Sequence, residues 1–261
     1  MADDPTMLPE TAWERLRAEE INARAGDDAI VFLPVASTEQ HGPHLATGVD
    51  TLLCTAVCDR AAGLLLARRE ACIRAPAMPV GLAAHHMPFG GSLTLSLATW
   101  HALLQDMCRA IADAGFSRIV IVNGHGGNAS ALNALSGELS RAVPARIAVT
   151  TYFGLAQDEF AAILEDQRGV LHAGEAETSM MLALAEDLVR DDALPGAYGP
   201  PAQDAASVLG APMYRWRDFT ALTRTGVIGD ARHATAGKGE KLITAAARAL
   251  AGMASDQALW A

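Results

Sequence analysis

The chain has 261 residues, 51 % of them hydrophobic and only 5 % aromatic, and carries a formal net charge of −10 from 30 acidic and 20 basic residues. No cluster of lysine and arginine runs along any segment, so nucleic acid and anionic membranes are not expected partners, and no stretch reaches the roughly 18 apolar residues of a membrane span. The length suits one α/β domain over residues 1–261, and the abundance of Ala, Leu and Val suits helices packed over a largely buried parallel sheet.

The first residues, Met-Ala-Asp-Asp-Pro, are acidic and lack a signal-peptide pattern. Thr11 to about Ala25 reads as an amphipathic helix, with Thr11 as a cap and Trp13, Leu16 and Ile21 near one face. The apolar run Ile30–Val35 reads as a strand, and it leads directly into Ser37-Thr-Glu-Gln-His-Gly-Pro-His-Leu-Ala-Thr-Gly-Val-Asp50. Asp50 stands where the next helix, Thr51 to about Ala67, should begin, so it is expected to cap that helix while offering an oxygen outward. Cys72 to Val80 is extended but interrupted by Pro76 and Pro79, as in an edge strand. A glycine-rich loop around His85, His86 and Phe89 follows, then a helix from about Ala98 to Ala114 with Gly115 just past its end.

Ser117 to Val122 is short, β-branched and bounded by turn residues, the clearest strand in the chain. It runs into Asn123-Gly-His-Gly-Gly-Asn128, a tight turn in which Asn128 is expected to cap a helix from Ala129 to about Arg141. Arg146 to Phe153 reads as a further strand and Glu175 to Leu188 as a further helix, while residues 195–212, rich in Pro, Gly and Ala, suggest a surface loop or subunit contact. This alternation implies a layered fold with mostly parallel strands. Cys54, Cys58, Cys72 and Cys108 form no CxxC pair and read as buried reduced thiols, so the expected location is cytoplasmic.

The chemistry concentrates where strands end. Glu39 and His41 are two apart, so in extended chain their side chains leave from one face and converge. With Asp50 they form the carboxylate–imidazole set expected for zinc, manganese or iron with an open coordination position. His125 is flanked by glycines that let backbone approach a metal or substrate and expose amide groups. The segment Leu171-His-Ala-Gly-Glu-Ala-Glu-Thr-Ser179 opens another helix; His172 supplies the proton shuttle that metal-assisted hydrolysis needs, while Glu175 and Glu177 read equally as first-turn acids or as ligands.

Together with Gly226-Val-Ile-Gly-Asp-Ala-Arg-His-Ala-Thr235, these motifs fall in an order that resembles the creatininase (creatinine amidohydrolase) family from about residue 30 to 240. The resemblance implies a three-layer α/β/α sandwich, two divalent metal ions and a homohexamer. It implies that Glu39, Asp50 and His125 hold one metal, that His41 and a bridging Asp50 hold the other, and that His172 transfers the proton. At the position of the family's further Glu ligand this chain has Gly127, so Glu177 is the expected replacement, in preference to Glu175. Gly126, Gly127, Asn128 and His86 are the expected substrate contacts. No Trp lies between Trp100 and Trp216 to close over a creatinine ring, so the expected reaction is hydrolysis of another small amide, cyclic amide or formamide by a metal-bridged hydroxide. A peptide-trimming metalloenzyme of a peptide-derived cofactor pathway and a non-catalytic metal-binding assembly protein are the alternatives.

Overall fold

The computed structural model describes residues 9–201 and 215–261. Four parallel strands, β1 (Ile30–Val35), β2 (Cys72–Arg74), β3 (Arg118–Asn123) and β4 (Arg146–Thr151), form a sheet of order β2-β1-β3-β4. The helices are α1 (Ala18–Gly26), α2 (Val49–Ala67), α3 (Leu97–Asp113), α4 (Gly126–Ala142), α5 (Gln157–Ile163), α6 (Glu175–Leu184) and α7 (Ala236–Ala254).

Side chains alternate across each strand, and this divides the interior into two cores. Ile30 and Phe32 of β1 and Val120 and Val122 of β3 join α2, α6 and α7 through Leu53, Met180 and Leu242. Val31, Leu33, Ile119 and Ile121 face the other way, onto Trp100 and Leu104 of α3 and Leu132 and Leu139 of α4. Helix layers on both faces of a buried parallel sheet make a three-layer α/β/α sandwich. Both central strands are buried on both sides, which is why their sequences are nearly unbroken apolar residues.

Several boundaries differ from the sequence expectation for local reasons. The first helix divides into a 3₁₀ turn, Trp13–Arg15, and α1, because Leu16 is extended. Thr11 caps neither; the Glu10 carboxylate accepts from the amides of Thr11 and Ala12 instead. Trp13, Leu16 and Ile21 still pack on the α3/α4 core. β2 keeps only three residues, since Pro76 and Pro79 limit pairing to a single bridge from Met78 to Val35. β4 ends at Thr151 and α6 at Leu184, each passing into a short 3₁₀ turn. Helices α5 and α7 are absent from the sequence reading; Ala-rich α7 is capped by Thr235, whose Oγ1 accepts from Lys238 N. Among the described residues the four cysteines are free and buried, and no helix is long and apolar enough to cross a membrane. Most of the expected loop at 195–212 lies outside the described residues.

α7 crosses α6 with backbone against backbone. A Cβ on Gly239 would stand 1.9 Å from Ser179 O, whereas one on Gly237 would meet nothing within 4 Å. Gly239→Ala should therefore lower stability by about 1–3 kcal/mol through forced displacement, while Gly237→Ala should raise it by about 0.4–1 kcal/mol through loss of unfolded-state freedom. Urea midpoints of the two variants check this; equal shifts would refute the close crossing.

Candidate metal centre

The site gathers at the carboxyl ends of β1 and β3, adjacent strands whose onward connections run to opposite edges of the sheet, where an open α/β sheet leaves a crevice. Glu39 and His41 lie on the segment leaving β1, and His125 is the residue before α4. Asp50 lies in the first turn of α2, whose N-cap is Gly48, so Asp50 makes no capping bond and its carboxylate is free to face the site. Gly124 lets the exit of β3 pass against that turn, since a Cβ there would stand 2.7 Å from Cys54 Cβ and 2.9 Å from Asp50 O. His172 sits on the turn ahead of α6, where Ala173 takes a left-handed conformation with φ 54°, and Glu177 is in the first turn of α6.

Asp50 joins two ligand groups. Its Oδ2 is 3.1 Å from His125 Nδ1, which is also 3.1 Å from Glu39 Oε1. Its Oδ1 is 3.1 Å from His41 Nε2, which is 3.7 Å from Glu177 Oε2. The far nitrogen of each ring faces a backbone carbonyl, which can only accept: His41 Nδ1 reaches Glu39 O at 3.1 Å, and His125 Nε2 reaches Leu82 O at 3.3 Å. Each ring must therefore donate outward, so a neutral ring turns its lone pair toward the carboxylates. Among the described residues, Glu39 Oε1 and Oε2, His41 Nε2 and Asp50 Oδ2 are buried without a hydrogen-bond partner. Electron pairs converging on one point in a dry interior call for a cation, and the residues present fit one.

The ionisation of these groups follows the same logic. Burial disfavours a charged His41, yet Asp50, Glu177 and Glu39 together hold its pKa up at about 10. Burial likewise opposes charge on His125, and Glu39 and Asp50 raise it well above the ordinary imidazole value. Burial, reinforced by Asp50 and partly offset by His41, lifts Glu177 to about 7. His172 is pushed the other way, well below the ordinary value, by burial and by His41 and His86. It is a neutral ring whose centroid lies 4.4 Å from that of His41, which attracts a proton.

The two acids of α6 separate cleanly. Glu175 is fully buried but turned away, accepting from the amides of Glu165 and Asp166 and from Lys238 Nζ at 2.6 Å. Glu177 faces His41 while its Oε2 accepts from Ala173 N at 2.6 Å. The side of Gly127 is closed: a Cβ there would stand 2.4 Å from His125 Nε2, 2.7 Å from Leu82 O and 2.8 Å from His85 Cε1, so neighbouring groups occupy the place of an acid.

Two of the expected substrate contacts are buried. Asn128 lies inside α4 rather than at its cap, fully buried, its amide spent on Leu82 N, Ala36 O and Asn123 Oδ1; it ties β1, the loop before His85 and α4 together. His86 is only 1 % exposed and points inward, Nε2 3.2 Å from Glu39 Oε1. Gly126 and Gly127 are exposed in the first turn of α4, where helix amides lack intrahelical partners. Three side chains had no signal of their own in the sequence. Phe219 covers the rings of His86 and His172 at centroid distances of 4.3 and 4.8 Å. Tyr152 is fully buried with an unpartnered hydroxyl. Gln40 lies between Glu39 and His41, and its amide contacts both His86 and His172.

A family model described as creatininase, creatinine amidohydrolase, matches residues 14–254. The chain is 33 % identical over 220 residues to a mycofactocin precursor peptide peptidase of Mycolicibacterium smegmatis, covering 82 % of this chain and 79 % of that protein. It is 32 % identical over 213 residues to a creatinine amidohydrolase of Pseudomonas putida, covering 74 % and 78 % respectively. A solved structure described as creatininase Mn superposes with a TM-score of 0.76 at 28 % identity, over 94 % of this chain and 97 % of that one.

With His41 near 10 and His125 well above its usual value, both rings of the metal-free chain are protonated at neutral pH. Ligands bind metal only when deprotonated, so loading zinc at pH 7.5 should release about two protons and tighten as pH rises. Titration calorimetry in buffers of different ionisation enthalpy reads the number as a slope; a slope of zero would contradict the ligand assignment.

Proposed function

The chain belongs to the creatininase family of metal-dependent hydrolases, which includes creatinine amidohydrolase, and from that premise we propose that it hydrolyses a cyclic amide or formamide in a small molecule. The observation that carries this reading is the set of inward-facing, partnerless atoms of Glu39, His41 and Asp50 beside the neutral ring of His172. Glu39, Asp50 and His125, whose ligand atoms lie within 4.8 Å of one another, would hold one divalent ion, and His41, Asp50 and Glu177, with His41 Nε2 3.1 Å from Asp50 Oδ1 and 3.7 Å from Glu177 Oε2, would hold a second, with zinc, manganese or iron suited to these ligands. Such ions, when bound, bring water toward a pKa of ~7 and polarise a carbonyl oxygen.

His172 performs the proton transfer. Its Nε2–H donates to the backbone oxygen of Gln40 at 2.8 Å, which fixes the ring and leaves the Nδ1 lone pair directed inward, 3.6 Å from Glu39 Oε1. From there Nδ1 takes a proton from the attacking water and returns it to the leaving nitrogen. The ring's depressed basicity keeps Nδ1 free to accept at neutral pH. Glu177 would be a ligand of the loaded site, and in the metal-free chain burial lifts its pKa to about 7, so that it shares the proton held beside His41. The exposed amides of Gly126 and Gly127 at the start of α4 suit the developing negative charge on the substrate oxygen. Phe219 screens the histidines from water. The family resemblance further supports a homohexamer and a cytoplasmic setting.

A second reading, trimming of a peptide precursor, is favoured by the identity to the mycofactocin precursor peptide peptidase. Assays of the zinc- or manganese-loaded chain on lactams, hydantoins, formamides and short peptides separate the two. Turnover of a small cyclic amide or formamide supports the first; cleavage of peptides alone supports the second; no turnover of any of them sinks both.

On a turned-over substrate, His172→Ala should lower kcat by about 10²–10⁴-fold with metal content unchanged. Full activity would remove His172 from the mechanism, and loss of metal would make it a ligand instead.

A further inference from the structure

We propose that Gln40 and His86 form a donor relay that positions Glu39 for its cation, and that His86 is therefore not a ligand. The question arises because Glu39, His86 and His172 also come within ligand distance of one another, as do His41, His172 and Glu177. The inference rests on the reading of Glu39 as a metal ligand.

The orientation of the Gln40 amide is fixed by its neighbours. Gly42 N, 2.9 Å away, can only donate, so the atom facing it is Oε1. Gly226 O, 3.3 Å from the other atom, can only accept, so that atom is Nε2. The amide group has two hydrogens and three neighbours: Gly226 O, His86 Nδ1 at 2.9 Å and His172 Nε2 at 2.9 Å. His172 Nε2 also lies 2.8 Å from the backbone oxygen of Gln40, which can only accept, so this nitrogen already bears a hydrogen and cannot receive another. The two amide hydrogens therefore go to Gly226 O and His86 Nδ1.

A ring that accepts at Nδ1 and is neutral carries its proton on Nε2. In His86 that nitrogen faces Glu39 Oε1 at 3.2 Å, off the axis of an ideal hydrogen bond but with the N–H dipole turned toward the carboxylate. One residue thus sets two tautomers. The Gln40 side chain orients His86, and the Gln40 backbone oxygen orients His172. The backbone around it is built to permit this contact: a Cβ on Gly226, where φ is 79°, would stand 2.0 Å from Gln40 Oε1. Outer groups that orient metal ligands typically contribute 10–100-fold to metal affinity.

The test uses the full-length zinc-loaded chain and two readouts besides activity. Histidine ¹⁵N–¹H correlation should show His86 protonated at Nε2 and unprotonated at Nδ1 in the unsubstituted protein. Zinc affinity, measured by chelator competition, should fall about 10–100-fold in His86→Ala and recover most of that loss in His86→Gln, which keeps a donor. In Gln40→Glu, where no amide hydrogen faces Nδ1, the proton of His86 should move to Nδ1. A metal-bound Nε2 on His86, or wild-type zinc affinity in His86→Ala, overturns the relay while leaving the metal reading intact. Failure of the unsubstituted chain to bind zinc overturns both.

Discussion

The arrangement of the whole molecule depends on Asp50, a carboxylate shared between two imidazoles in a space that excludes water. One oxygen faces His41 and the other faces His125, each at 3.1 Å. Both rings are tied by their outer nitrogens to backbone carbonyls, so neither can turn away. The interior of a protein tolerates such a convergence of carboxylates and lone pairs only if positive charge enters it. In the metal-free chain protons supply that charge, which is why His41 and His125 hold them so strongly. A divalent ion bound there would replace those protons, and that substitution would couple the ligand geometry to the metal-dependent chemistry of the family.

The sandwich, from this point of view, brings four chain segments to one end of the sheet. β1 and β3 are adjacent and in register from Ile30 and Arg118 onward, so they end together and release Glu39, His41 and His125 at the same height. The helices then contribute by their first turns: α2 brings Asp50 and α6 brings Glu177. Close contacts keep these pieces together. Gly124 admits α2, Gly239 admits α6, and the buried amide of Asn128 joins the segment after β1 to α4. The site is consequently rigid, with its precision drawn from strands and helix starts rather than from mobile loops.

Much of this was legible in the sequence because it is encoded locally. The apolar runs of β1 and β3 announce strands buried on both faces, and glycine or proline marks where they stop. Carboxylates and histidines placed just beyond those stops indicate a metal-type centre. Helix ends were less legible. Asp50 has the composition of a cap but lies within the first turn of α2, because Gly48 takes the N-cap position. Asn128 has the composition of a cap or a substrate contact but its amide makes three bonds, two of them to segments distant in sequence. α7, rich in Ala and Gly, carries a weak pattern by itself and acquires its place by packing on α2 and α6.

The sequence by itself determined the family, the layered α/β class and the residues that can carry charge into the site, because these rest on residue type and short-range spacing. Only the tertiary structure separates Glu175 from Glu177, since both occupy the first turn of α6 and it is Lys238, sixty-three positions away, that binds the former while the latter faces His41. It likewise closed the space beside Gly127 with His85 and turned His86 toward Glu39. The role of Gln40 belongs to the same class. An amide between two ligands has no distinctive local signature, and its meaning comes from Gly226 and His172, which the fold carries to within hydrogen-bonding distance.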